Sequence, residues 1–258
     1  MKHRHPPEDK QGMWISGIHP ARESLLARSS FIREMRVARD DRRVAELVET
    51  AMKLGVSIRH ERRDALTALL GHAHHQGIAL HMTEFPYASL ESLFDRPSGE
   101  HEPLVILDCI QDPRNLGAVL RCACFLGAAG VVIPRDRSAR MTDAVMKAAA
   151  GAASYLPIVQ VTNLVRTIED LKGRGFWTAG LEVEGGKSIY DADLDAPLAL
   201  VVGNEQKGLR PLVRRQCDFL VRIPASGPVQ SLNAAAACAI ALSEVQRRRI
   251  AKRGAPLS

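Results

Sequence analysis

The sequence predicts an α/β protein in which a small N-terminal α/β unit precedes a larger domain built on a parallel sheet. Strand-like and helix-like segments alternate from residue 104 onward, and such βα units form a parallel sheet with helices on both faces. Two strand-like runs, LVILDCI at 104–110 and LALVV at 198–202, are nearly all apolar, as expected of strands buried on both faces. Between the two units, residues 85–103 contain Phe-Pro, Arg-Pro-Ser-Gly and Glu-Pro, a composition typical of linkers.

The N-terminal unit is predicted to span residues 13–84, after a disordered tail at 1–12. Its clearest element is a helix at 41–54, because Asp41 is a residue type that caps helices and Gly55 is a typical stop. The remaining predicted segments are helices at 19–28 and 64–70 and strands at 33–38, 56–60 and 77–82.

The larger domain is predicted to span residues 104–250, followed by a basic tail at 251–258. Its predicted strands, besides the two apolar runs, lie at 130–133, 157–161, 176–181 and 219–223. Its predicted helices lie at 116–125, 143–150, 163–172 and 231–249.

The composition excludes several classes of protein. Apolar residues make up 46% of the 258 residues, and no apolar run reaches the ~18 residues that a membrane-spanning helix needs. The charged N-terminus lacks the apolar segment of a signal peptide, so we expect a cytoplasmic protein. None of the five cysteines forms a Cys-x-x-Cys pair, which argues against a disulfide framework and a zinc site.

The charge favours a polyanionic partner without identifying one. The net charge is +6, of which +5 lies in residues 101–258, whereas aromatic residues make up only 4%, too few for a broad base-stacking platform. No G-x-G-x-x-G follows a strand, which argues against a dinucleotide site. The stretch 180–188 has the wrong spacing for a phosphate loop and is interpreted as a hairpin-like surface loop, and the histidines at 72–75 are interpreted as a polar loop rather than a metal site.

Three loops that follow buried strands combine glycine with amide or charged side chains. The first places Asn115 and Arg121 at the start of a helix, at the carboxyl end of a strand where ligands bind in parallel sheets. Taken alone, these two residues also fit a helix cap and a solvated arginine. The second loop lies at 202–209, where glycines let the backbone approach a ligand closely. The third lies at 223–233 and leads into an alanine-rich helix.

In their order and spacing, these loops resemble the three motifs of the SpoU (also called TrmH) family of SPOUT-class RNA 2′-O-methyltransferases. The matching runs are NLGAVLR, VVGNEQKGL and IPASGPVQSLN, and the resemblance covers residues 104–249. In the first unit, GIHPARESLL and HQGIA resemble the N-terminal domain of the bacterial enzymes that methylate a guanosine ribose in 23S ribosomal RNA.

The resemblance implies a SPOUT-type parallel sheet with a C-terminal trefoil knot, preceded by a small L30e-like domain that binds the RNA substrate. It implies a cytoplasmic homodimer that uses S-adenosylmethionine, needs no metal, and acts on 23S ribosomal RNA or a precursor particle. The residues that the resemblance assigns to cofactor binding are Gly203, Ile223 and Leu232. Those that it assigns to the reaction are Asn115, Arg121, Glu205, Ser231 and Asn233.

The family assigns proton removal from the ribose hydroxyl to the arginine of the first motif, here Arg121. Because a guanidinium has a pKa above ~12, it is a poor base. We therefore interpret Arg121 as a fork that binds the adjacent phosphate and the developing oxyanion, with the phosphate or a water accepting the proton. Arg135, Arg137, Arg140 and the basic C-terminal end are further candidates for phosphate contacts, although each also fits a solvated surface charge.

Three other functions remain open from the sequence. A tRNA ribose 2′-O-methyltransferase would use the same chemistry, but the N-terminal domain favours ribosomal RNA. A non-catalytic ribosome-assembly protein of the same fold would be favoured by loss of the motif residues, all of which are present. A nucleotide-dependent α/β enzyme is disfavoured because the phosphate loops are missing.

Overall fold

The computed structural model describes residues 12–94 and 102–252, and the chain divides into two compact units between Pro86 and Tyr87. Most of each of the two predicted tails lies outside these ranges. Residues 1–11 of the predicted disordered tail and residues 253–258 of the predicted basic tail lie outside the described residues.

The first unit is a four-stranded mixed sheet with three helices. Its order is β1-β4-β2-β3, with β4 antiparallel to β1 and β2, and β3 parallel to β2. The elements are β1 (Met13–Ser16), α1 (Ile18–Arg28), β2 (Ile32–Val37), α2 (Arg42–Lys53), β3 (Ser57–His60), α3 (Arg63–Leu70) and β4 (Ile78–Met82).

Local chemistry sets the boundaries of these elements. The Asp41 carboxylate accepts hydrogen bonds from the backbone N–H groups of Arg43 and Val44 at 3.0 and 3.1 Å, so it caps α2 as predicted. His75 is fully buried, and its ring Nδ1 accepts from Gly77 N–H at 3.0 Å while Nε2 lies 3.0 Å from the Thr67 hydroxyl. This histidine therefore holds the turn before β4, and no group of side chains that could hold a metal occurs among the described residues.

The second unit is a seven-stranded sheet in which every pairing is parallel, which confirms the predicted class. Its order is β7-β6-β5-β10-β8-β11-β9. The strands are β5 (Leu104–Leu107), β6 (Gly130–Pro134), β7 (Ile158–Val161), β8 (Trp177–Leu181), β9 (Lys187–Ser188), β10 (Leu198–Val202) and β11 (Phe219–Arg222). The helices are α4 (Pro113–Phe125), α5 (Asp143–Ala148), α6 (Leu164–Gly173), α7 (Pro211–Gln216) and α8 (Ala234–Lys252).

Helices cover both faces of this sheet. Every residue of β5, β6 and β10 is buried, because α6 and α7 pack on one face while α4, α5 and α8 pack together on the other. The α4–α5 contact requires Gly117, since a Cβ there would lie 2.4 Å from the Ala148 Cβ. In the described residues, no helix is long and apolar enough to cross a membrane.

Three sequence predictions differ from the structure. The predicted linker at 85–103 includes residues 87–94 of the second unit, where Ala88 bridges to Val159 and Leu93 is buried beneath Gly130. The stretch 180–188 is not a hairpin, because its strand β9 pairs parallel with β11. The six-residue helix α7 was not predicted, although proline at its first position is a typical helix start.

Candidate active site

A cavity of about 810 Å³ lies at the carboxyl ends of β8, β10 and β11, the position where parallel sheets bind ligands. Three loops form its walls: residues 182–184 after β8, 203–208 after β10, and 223–232 after β11. Helix α8 contributes the small side chains of Ala234 and Ala237. The cavity is thus built from the second and third motif loops and is within the size range of small-molecule sites.

The loop after β10 folds back on itself. The backbones of Asn204 and Gly208 exchange two hydrogen bonds at 3.1 and 2.8 Å. This brings Gly208 so close that a Cβ on Gly203 would lie 2.3 Å from its carbonyl carbon, and Gly208 itself has a φ of 63°. Only glycine at position 203 allows this approach, which keeps backbone groups at the cavity wall.

Two side chains that lie just after β5 and β10, those of Asp108 and Asn204, tie this loop to the sheet. Asp108 is fully buried and accepts hydrogen bonds from the backbone N–H and the Nε of Arg210, at 2.8 and 2.6 Å. The Asn204 side-chain amide donates to the Cys109 carbonyl at 3.1 Å, and its oxygen accepts from Gln206 N–H at 3.0 Å. The Asp108–Arg210 pair was not predicted; a carboxylate inside the otherwise apolar run at 104–110 was the available signal in the sequence.

Asn115 and Glu205 meet across the first and second motif loops. The Asn115 side-chain amide donates to Glu205 Oε1 at 2.5 Å. Asn115 is not the helix cap considered from the sequence, because the Asp112 carboxylate accepts from Arg114 N–H at 2.8 Å and caps α4. Glu205 lines the cavity, so the first motif reaches the cavity through this hydrogen bond.

Arg121 lies on α4, six residues after Asn115, and is exposed. It does not belong to the cavity lining, and neither does Asn115. Of the eight predicted site residues, those that line the cavity are Gly203, Glu205, Ile223, Ser231 and Leu232. Arg121 is therefore positioned to meet a group outside the cavity rather than a ligand within it.

The third motif loop is exposed from Pro224 to Asn233. Ser231 and Leu232 face the cavity, and Leu232 is 47% exposed. The Asn233 side chain accepts a hydrogen bond from Ala236 N–H at 2.7 Å, so α8 begins after Asn233. The predicted start at Ser231 was wrong. The Oδ1 of Asn233 serves as a helix cap in this structure, next to the cavity rather than in its lining.

The cysteine nearest these loops is not an activated nucleophile. Burial and the adjacent Asp108 carboxylate raise the pKa of the Cys109 thiol, against the opposing charges of Arg210 and Arg137. Cys109 adopts a φ of 62°, and its backbone carbonyl is the group that the loop uses. The thiol therefore stays protonated at neutral pH.

Glu244 and Arg248 of α8 hold one wall of the cavity. Glu244 accepts hydrogen bonds from Arg247 and Arg248 at 2.7–2.8 Å, and Arg248 donates to the carbonyls of Tyr190 and Ala192 at 2.5 and 2.6 Å. Tyr190 lines the cavity. The segment after β9 is thus fastened to α8 through Arg248, and also through the ion pair between Lys252 and Asp195 at 2.7 Å.

This cluster of Glu244, Arg247 and Arg248 should make the free energy of unfolding depend on pH in the acid range. Hydrogen bonds from Arg247 and Arg248 lower the pKa of Glu244 from its usual 4.5 to about 2, so its contribution is complete above pH 4.5 and is lost as the pH falls toward 2. We expect Glu244→Gln to lower the free energy of unfolding at pH 7 by ~2 kcal/mol and to flatten this acid dependence, measured by thermal melts. Glu49→Gln, at an exposed position of α2, is the control. Equal pH profiles for wild type and Glu244→Gln would contradict the assignment.

Comparisons with known proteins agree with this geometry. Residues 102–243 match the SpoU rRNA Methylase family, and residues 14–88 match the domain described as RNA 2′-O ribose methyltransferase substrate binding. The chain belongs to the SpoU rRNA methylase family, which confirms the predicted family and enzyme class, an RNA 2′-O-methyltransferase.

Individual relatives extend over nearly the whole chain. The 23S rRNA (guanosine-2′-O-)-methyltransferase RlmB of Xanthomonas axonopodis pv. citri (strain 306) is 38% identical over 246 residues, covering 93% of this chain and 98% of that protein. RlmB of Coxiella burnetii (strain RSA 493 / Nine Mile phase I) is 42% identical, covering 91% and 95%. The crystal structure of the SpoU methyltransferase AviRb from Streptomyces viridochromogenes, in complex with AdoMet, superposes with a TM-score of 0.80 at 25% identity, covering 93% and 92%.

Proposed function

We propose that this chain transfers the methyl group of S-adenosylmethionine to the ribose 2′-OH of a guanosine in 23S ribosomal RNA. The observation that carries the proposal is the joining of three motif loops: the second and third line one cavity, and the first reaches it through Asn115 and Glu205. The RlmB relatives, which match more than nine-tenths of this chain, support ribosomal RNA as the substrate.

The residues present fit S-adenosylmethionine, which supplies an electrophilic methyl group on a sulfonium. The backbone at Gly203, Ile223 and Leu232 would hold the adenosine part, because this wall exposes main-chain groups and lacks a phosphate-binding loop. The carboxylates of Glu182 and Glu184 also line the cavity and match the positive charge of this cofactor.

The polar groups beside the cavity would act on the ribose hydroxyl. Because Glu205 accepts from the amide nitrogen of Asn115, the amide oxygen of Asn115 is the group that would accept from the 2′-OH. Exposed Arg121 would bind the neighbouring phosphate and the developing oxyanion, and a phosphate oxygen or water would take the proton. Ser231 would lie beside the reacting hydroxyl, and Asn233 would act mainly by fixing the start of α8.

The wider assembly follows from the same family. The N-terminal domain would select the RNA, as its match to the substrate-binding domain suggests. We further infer a cytoplasmic homodimer and a trefoil knot formed by the segment leading into α8.

Calorimetry should detect binding of S-adenosylmethionine to the metal-free protein, with no change when a divalent cation is added. In the same samples, ATP and NAD should give no heat, because no phosphate-binding loop faces the cavity. Ribose methylation should then be mapped on unmodified 23S ribosomal RNA and on tRNA. Binding of ATP or NAD in place of S-adenosylmethionine, or methylation of tRNA alone, would overturn the proposal.

A further inference from the structure

An arginine-bearing loop follows β6, at the same carboxyl edge of the sheet as the cavity but outside the cavity lining. Arg135, Arg137 and Arg140 are all exposed in this segment, which we call the β6 loop (residues 135–142). The loop also contains exposed Asp136, which leaves a net charge of +2. The site described above uses none of these arginines.

The backbone of the β6 loop is fixed although its arginines face solvent. Arg135 N–H donates to the Val161 carbonyl at 2.8 Å. The Ser138 hydroxyl and Ala139 N–H both donate to the Ile110 carbonyl, at 3.1 and 2.8 Å. These bonds fasten the loop to the residues that follow β5 and to the edge strand β7.

Arg137 occupies a costly backbone conformation at the centre of this loop. Its φ of 60° lies in the left-handed region, which is sterically unfavourable for a residue with a Cβ. The flanking hydrogen bonds hold the backbone there, while the Arg137 guanidinium is exposed. The fixed backbone spares the cost of ordering the loop when the arginine binds a planar anionic group such as a phosphate.

The β6 loop also lies close to the candidate active site. Strand β6 neighbours β5, and β5 neighbours β10, so the loops that follow these strands share one edge of the sheet. The positive charge of Arg137 acts on the Cys109 thiol, and the Cys109 carbonyl accepts the hydrogen bond from Asn204 that holds the second motif loop.

This edge is divided between two kinds of surface. The cavity occupies the half formed by β10, β8 and β11, and the exposed arginines occupy the half formed by β5 and β6. The Asn115–Glu205 hydrogen bond joins the loops at the division. For a ribose whose hydroxyl lies there, the arginine half is the positively charged surface next to the flanking phosphates.

We propose that the β6 loop binds the RNA phosphates that flank the target nucleotide, with Arg137 as the central fork. The inference rests on the proposed function, because it takes RNA as the substrate and Asn115 as the position of the ribose. The β6 loop would contact backbone rather than bases, and would therefore position the RNA without reading its sequence.

The test compares RNA affinity and its dependence on salt among charge variants. The variants are Arg137→Gln, Arg137→Lys and the triple change Arg135→Gln/Arg137→Gln/Arg140→Gln. The probe is unmodified 23S ribosomal RNA in filter binding at several salt concentrations, with S-adenosylmethionine present. The matched control is Arg174→Gln, an exposed arginine that precedes β8 at the opposite edge of the sheet, where it stacks on Phe94.

Arg137→Gln should weaken RNA binding about tenfold. The negative slope of log K against log salt should become shallower by about 0.7–1, the amount expected for one phosphate contact. The triple variant should make that slope shallower by about 2, while calorimetry shows unchanged affinity for S-adenosylmethionine. Arg137→Lys should recover the slope, because it keeps the charge, but only part of the affinity, because it lacks the fork. Arg174→Gln should match wild type in both quantities.

Two results would overturn the inference while the proposed function stands. One is wild-type affinity and salt slope in the triple variant of an otherwise methylating enzyme. The other is an equal loss of RNA binding in Arg174→Gln. Failure of the wild-type protein to bind S-adenosylmethionine or methylate RNA would instead remove the proposed function, and this inference with it.

Discussion

Arg121→Ala is expected to lower the rate of methyl transfer by roughly 10²–10³, the loss observed when one oxyanion donor is removed from an enzyme. Its affinity for S-adenosylmethionine should stay near that of wild type, because Arg121 is not part of the cavity lining. Single-turnover rates on unmodified 23S ribosomal RNA and calorimetry with the cofactor measure the two quantities separately.

Arg121→Lys distinguishes the two roles considered for this residue. Lysine restores a positive charge without the planar fork, so it should recover little activity if the side chain binds a phosphate and the oxyanion in two places. Substantial recovery, with a pH–rate profile governed by a new ionisation, would favour proton abstraction at this position. Near-wild-type turnover in Arg121→Ala would exclude the residue from the reaction.

Gly203→Ala is expected to weaken binding of S-adenosylmethionine by about 100-fold. A Cβ at this position would lie 2.3–2.5 Å from backbone atoms of Gly208 and Leu209, and backbone cannot move aside as a flexible side chain can. Relieving such an overlap costs roughly 1–3 kcal/mol and would shift the loop that forms the cavity wall. Calorimetry measures the affinity, and a thermal melt measures the accompanying loss of stability.

Gly227→Ala is the matched control for this substitution. Gly227 also lines the cavity, in the third motif loop, but a Cβ there would meet no atom within 4 Å. Its backbone does not lie in the left-handed region, so alanine should be accepted with almost no change in stability or affinity. Similar affinities for the two variants would show that the close approach at Gly203 does not shape the cavity.

The sequence alone determined the local features of this protein. The apolar run at 198–202 matches the bounds of β10, because a strand buried on both faces needs apolar side chains at every position. The cap at Asp41 was predictable because its hydrogen bonds reach only two and three residues along the chain. The motif loops could also be located, since each follows a strand-like run, although β11 is only partly buried and not buried throughout as predicted.

Only the tertiary structure decided which of these features act together. Asn115 meets Glu205 across 90 residues, and Asp108 meets Arg210 across 102, because the sheet places β10 directly beside β5. For the same reason, Ala88 in the predicted linker belongs to the second unit through its bridge to Val159. Periodicity and composition report how each segment meets solvent, but not which segment is its neighbour. The strand order therefore had to be seen before the Asp108–Arg210 pair and the division of the sheet edge could be recognised.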